Sequence, residues 1–188
     1  MSNYLAVATV TATLQAILAE AASVVHGARV VIDRPRKDED AVSAPHINVA
    51  LYQILPHGAW RALDAREQVA LDLHYLLTFH GDESRCEPQL LLGSAVSRLH
   101  DEAVLTPERV RAVEERAQFL NVGVPMTSNL ALQDDPVTFA PLPLTLDDLS
   151  KIWSSFFQLP SALAVAYQAG VVLIDHEETR VEPLAAAS

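Results

Sequence analysis

LTLDDLSKIWSSFFQLPSALAVAYQAGVVLI, residues 144–174, holds two different hydrophobic periods separated by a proline. Thr145 is a good N-cap, and Asp147 and Asp148 place negative charge in a first helical turn, where the helix dipole favours it. Leu149, Ile152, Trp153 and Phe156 follow at i, i+3, i+4 and i+7, an apolar stripe of helical period. Phe157 lies beside that stripe, where it either widens the buried face or offers a contact. Pro160 stops the helix, because the residue before a proline is pushed towards extended geometry. From Leu163 the period becomes two. Leu163, Val165, Tyr167, Ala169, Val171 and Leu173 share one face; Ala162, Ala164, Ala166, Gln168 and Gly170 share the other. A strand this long, with a smooth Ala/Gly reverse face, belongs in the middle of a sheet under helices.

Two upstream stretches supply its neighbours. Val69–His80 alternates, with Leu71, Leu73, Tyr75, Leu77 and Phe79 on one face and Asp72, His74, Leu76, Thr78 and His80 on the other. His46–Leu55 puts Ile47, Val49 and Leu51 on one face, and residues 28–33 (ARVVID) form a shorter strand. Val137–Leu144 is extended, and its prolines exclude a central strand but suit an edge or crossover. Helices are expected over 4–25 (capped by Ser2 or Asn3), 88–100, 106–118 and 146–157. The β-branched run Val7–Thr13 weakens the first of them locally. Pro88 sits at a helix start, and Thr106-Pro107-Glu108 reads as N-cap, N1 and dipole partner. Val110, Val113 and Ala117 face inwards there, while Arg109, Arg111, Glu114, Glu115 and Arg116 form a solvated face. The expected fold is α+β: a mostly antiparallel sheet of about four strands (28–33, 46–55, 69–80, 162–174) flanked by helices. Residues 1–175 make one domain, and 176–188 a flexible tail.

The 188-residue chain carries 13 Lys and Arg against 24 Asp and Glu, a formal net charge of -11. That balance argues against a nucleic-acid partner and against an anionic membrane surface. Its one cysteine, Cys86, rules out an intrachain disulfide framework and suits a reducing cytoplasm. No apolar run reaches the roughly 20 residues that span a bilayer, and the N-terminus lacks the basic region of a signal peptide. The expected site of synthesis and residence is the cytoplasm.

No glycine-rich phosphate loop, GxSxG elbow, CxxC or HExxH occurs. The His and Asp residues of strand 69–80 invite a metal reading, but at about 3.3 Å per residue His74 and His80 lie roughly 20 Å apart. Asp72 and His74 are same-face neighbours, and two ligands do not complete a zinc site. The expectation is therefore no enzyme, no cofactor and no metal. Arg34–Pro45 is the plainest loop: its Arg34 and Arg36 form a docking patch or belong to a solvated charge mixture with Asp38–Asp40. Trp60, with Arg61 beside it in a polar connection, either plugs a groove on a neighbour or folds back onto its own domain.

Several stretches together resemble the cap, or tail-terminator, proteins of phage-tail-like contractile injection systems, and more closely their N-terminal domain, long described only as of unknown function. They are NYLAVATVTATLQAIL (3–18), ALDLHYLLTFHGDE (70–83), PQLLLGSAVSRLHDEAVLT (88–106) and residues 144–174, with INVALYQILPHGAWR (47–61) a weaker match. Each is structural; their joint order and spacing carry the resemblance. It implies an α+β protomer that forms a homo-hexameric ring on the last layer of inner tube and sheath, at the distal end of the particle, and ends their growth. It carries no catalytic residues. Interface candidates are Arg34, Arg36, Trp60, Arg61, Asp72, His74 and Phe157. The alternatives are another structural adaptor or assembly chaperone of the same particle, or a small cytoplasmic enzyme using Asp72, His74 and a distant partner.

Overall fold

A computed structural model describes residues 4–33, 44–58, 68–119, 128–155 and 162–175. The first helix, α1 (Ala6–Ala22), buries Val10, Leu14, Ile17 and Leu18 completely. Each such side chain contributes about 1.5–3 kcal/mol of hydrophobic stabilisation. The β-branched run does not break the helix, and two of its three hydroxyls bond back within it. Thr11 and Thr13 donate to the carbonyls of Val7 and Thr9, at 2.9 and 2.8 Å. Thr11 Oγ1 then accepts from the buried Tyr75 hydroxyl at 2.8 Å, fixing α1 over the sheet. The helix starts at Leu5 without a side-chain cap; Ser2 and Asn3 lie outside the described residues.

The sheet has five strands: β1 (Arg29–Ile32), β2 (His46–Pro56), β3 (Gln68–His80), β4 (Thr138–Leu142) and β5 (Leu163–Asp175), in the order β1-β2-β3-β5-β4. The sequence reading expected about four. The fifth is β4, the proline-containing segment, and it takes an edge as those prolines require. Three pairings are antiparallel and β1–β2 is parallel. A parallel pair needs a connection of about a dozen residues, which residues 33–45 supply.

Helices α1 and α2 (Glu87–Asp101) cover one face of the sheet, and α3 (Pro107–Phe119) packs against α1 beside them. Ile47, Val49, Leu73, Tyr75, Leu77 and Phe79 point into that core. An ion cluster ties the three helices together. Glu20 of α1 meets Arg98 of α2 and, at 2.7 Å, Arg109 of α3; Glu102, just past α2, contacts Arg98 at 2.6 Å and Arg109 at 3.2 Å. Arg109 is therefore tethered rather than solvated. Glu114, also expected on a solvated face, is buried, and its Oε1 accepts from the backbone and hydroxyl of Ser128 at 2.9 and 2.6 Å. It fastens α3 to the segment that leads into β4. The fourth helix, α4 (Leu146–Ser155), opens with a capping box in which Asp148 N donates to Thr145 Oγ1 and Thr145 N to Asp148 Oδ2.

Two β-bulges set the phase of the sheet. In β2, Tyr52 is the extra residue between Leu51, opposite Tyr75, and Gln53, opposite His74. In β5, Gly170 and Val171 together oppose Asp72. Beyond that bulge the alternation reverses, so Val172 and Ile174, not Val171 and Leu173, continue the core face of Tyr167 and Ala169. Both neighbours of β3 thus bulge at nearly the same level, beyond which a three-stranded arm (Gln53–Pro56, Gln68–Asp72, Val172–Asp175) runs on.

Candidate assembly surface

Asp72 and His74 project from β3 on the face away from α1–α3, as the alternation predicts. They do not act together. The Asp72 carboxylate accepts from His57 Nδ1, at 2.9 and 3.0 Å to its two oxygens. His57, one residue past β2, also donates its backbone N–H to Ala70 O. This pair clamps the end of β2 onto β3. Gly170 makes room for it: a Cβ there would lie 2.5 Å from Asp72 Oδ1. His74 is 7% exposed and bonds instead to Gln53 Oε1 at 3.3 Å, with the Tyr52 ring 6.0 Å away. The bulge at Tyr52 turns both Tyr52 and Gln53 towards His74, a meeting that strict alternation along β2 does not predict. Among the described residues no three His, Cys, Asp or Glu side chains gather as metal ligands. Arg34, Arg36, Trp60, Arg61 and Phe157 lie outside the described residues.

Other features of the same end of the molecule escaped the sequence reading. The arm exposes Ile54, Leu55 and Val69 at 47%, 40% and 57%. None carries charge. Beside the arm, α4 stands over the sheet and leaves a groove of about 560 Å3 reaching from Tyr52 and His74 to Leu142, Leu144 and Ile152. The Tyr52 hydroxyl is pushed up from its ordinary pKa, first by burial and then by the negative charge of Asp148 across the groove. No single stretch of sequence announces this groove, because its walls come from β2, β3 and the 142–152 segment. The Tyr52 bulge has no residue signature. At the other bulge a signal did exist, since a glycine inside a strand often marks one, and Gly170 is such a glycine.

The order and identity of these elements agree with a family. Residues 9–187 match the Pvc16 N-terminal domain. The chain belongs to the Pvc16 N-terminal domain family. No curated protein sequence matches it significantly. Among solved structures the fold is similar to a sheath/tube terminator of an extracellular contractile injection system, determined in its extended state by cryo-electron microscopy. The TM-score is 0.60 at 16% sequence identity, over 96% of this chain and 61% of the terminator. This Pvc16 N-terminal domain thus spans about three fifths of that protein's length. The α+β architecture and the cap-protein resemblance read from the sequence are both right. Among the described residues no helix is long and apolar enough to cross a membrane.

Proposed function

We propose that this Pvc16 N-terminal domain protein terminates a contractile injection particle, assembling as a homo-hexameric ring on the last layer of inner tube and sheath at the distal end. One observation carries the reading: family membership over residues 9–187, joined to a fold that follows a sheath/tube terminator over 96% of this chain. The role is structural and uses no cofactor. Asp72, the strongest candidate for a reacting group, supports this: its carboxylate is already engaged by His57 and walled in by Gly170. Residues 1–175 act as one domain and 176–188 as a tail, and the particle is assembled in the cytoplasm. A ring contact that is not two-fold joins unlike patches of each protomer.

The test is the length of particles from cells lacking the protein. Tubes and sheaths are expected to overgrow or to fall apart, as seen by negative-stain microscopy. Particles of normal, uniform length would refute the terminator role. The mass of the free protein over a range of concentrations tests the ring separately, with a six-protomer species expected at high concentration.

A further inference from the structure

The groove between α4 and the sheet is unfinished as a piece of packing. α4 is the most strongly amphipathic helix among the described residues, yet Leu149, Ile152 and Trp153 on its apolar stripe are only half-buried. Ile152 of that stripe lines the groove opposite Tyr52 and His74, with Leu142 and Leu144 along the side. Apolar surface left in this state gains stability from any apolar side chain inserted into it.

Its electrostatics select the visitor. Lys151 is the only basic residue between positions 128 and 155, and Asp147 neutralises it at 2.5 Å. Asp148 keeps its charge because hydrogen bonds from the Thr145 hydroxyl and backbone hold its carboxyl below the ordinary range. With 13 Lys and Arg against 24 Asp and Glu, this chain has fewer basic segments to match that acidic rim than a basic partner has.

We propose that the groove between α4 and the sheet seats a short segment of another protein in which apolar side chains are flanked by lysine or arginine. The inference rests on the terminator reading for where that protein sits, namely among the tube and sheath proteins at the particle's end. Ile152 and Tyr52 form the apolar grip, and Asp148 receives the basic flank.

The experiment mixes the full chain with particles purified from cells lacking it and measures co-sedimentation at several salt concentrations. Ile152→Gln is expected to weaken binding about ten-fold by removing an apolar anchor. Asp148→Asn, which keeps an acceptor for Thr145, is expected to weaken it about three-fold and to flatten its salt dependence. Leu90→Gln, on the exposed side of α2, serves as control and should leave binding unchanged. Both groove variants sedimenting like the parent chain would overturn the proposal. So would a loss of self-association in Ile152→Gln, since the occupant would then be a second copy.

If the parent chain does not sediment with particles, the terminator reading falls, and a peptide decides the groove alone. An acetylated peptide alternating lysine with leucine should shift the amide resonances of Tyr52, His74 and Ile152, while its glutamate–leucine counterpart should not. Equal effects of the two peptides, or none, would refute the groove's role.

Discussion

Gly170 decides what the middle of the arm can hold. Its hydrogen stands where any other residue would drive a methyl group to 2.5 Å from Asp72 Oδ1, far inside contact distance. The carboxylate cannot retreat without losing His57, which it holds at 2.9 and 3.0 Å. Gly170→Ala is therefore expected to lower stability by about 1–3 kcal/mol in urea unfolding, the usual cost of forcing atoms into filled space. The origin of that cost is testable with a second change. In an Asp72→Ala background the carboxylate is gone, so the added methyl should cost much less, giving a coupling between the two sites. Equal costs in both backgrounds would mean that strain at the bulge itself, and not Asp72, forbids the side chain.

At the scale of elements, the β4 side of the sheet is closed with side chains and loops rather than with strands. β4 pairs with β5 only from Ala166 to Gly170. Past that point Gln133 stands in for the missing strand: its Nε2 donates to Val171 O at 2.8 Å and its Oε1 accepts from Leu173 N at 3.1 Å. Gln133→Ala leaves both backbone groups without those partners, at an expected cost of about 1–3 kcal/mol. Amide exchange at Leu173 should speed up by more than the change in global stability accounts for; an unchanged rate would show that β5 needs no cover there. The outer side of β4 is managed likewise. Phe139 N–H donates to Ala103 O, and at position 141 a proline removes the next donor of that alternation. This last device was legible, since prolines in an extended run say edge. The Gln133 bracket was not, because nothing in QDDP distinguishes a loop glutamine from one that completes a sheet. Strand and helix positions were readable because each rests on a local period. The direction of β1 and the bulge at Tyr52 were not, because a period of two is the same in parallel and antiparallel strands and does not register one added residue.

For the whole molecule, the same division between local and assembled information separates the two faces of the sheet. The face under α1 and α2 was legible nearly residue by residue, since burial there follows amphipathic stripes. The opposite face, where the groove lies, combines positions 52–53, 74, 142–144 and 148–152, which only the strand order brings together. The helical layer depends on a similar long-range meeting, and acid should expose it. Arg109 first, and then Arg98, hold the Glu20 carboxyl below its ordinary 4.5 against the opposing effect of burial. A carboxylate whose folded pKa is depressed contributes stability that is fully present above its unfolded value and is lost as pH falls through the folded one. Glu20→Gln should accordingly be less stable than the parent chain near neutral pH, because two guanidinium groups lose one of the two carboxylates they share. The deficit should shrink as pH drops below about 4.5 and Glu20 itself becomes protonated in the parent. Asp82 and Asp148, whose carboxyls are also held low, titrate in both proteins and so cancel in the comparison. Urea midpoints measured for the pair from neutral to acidic pH give the answer. A deficit that stays constant with pH would assign the loss to packing of the side chain, whereas one that closes, and is smaller in high salt, assigns it to the charge that joins α1 to α2 and α3.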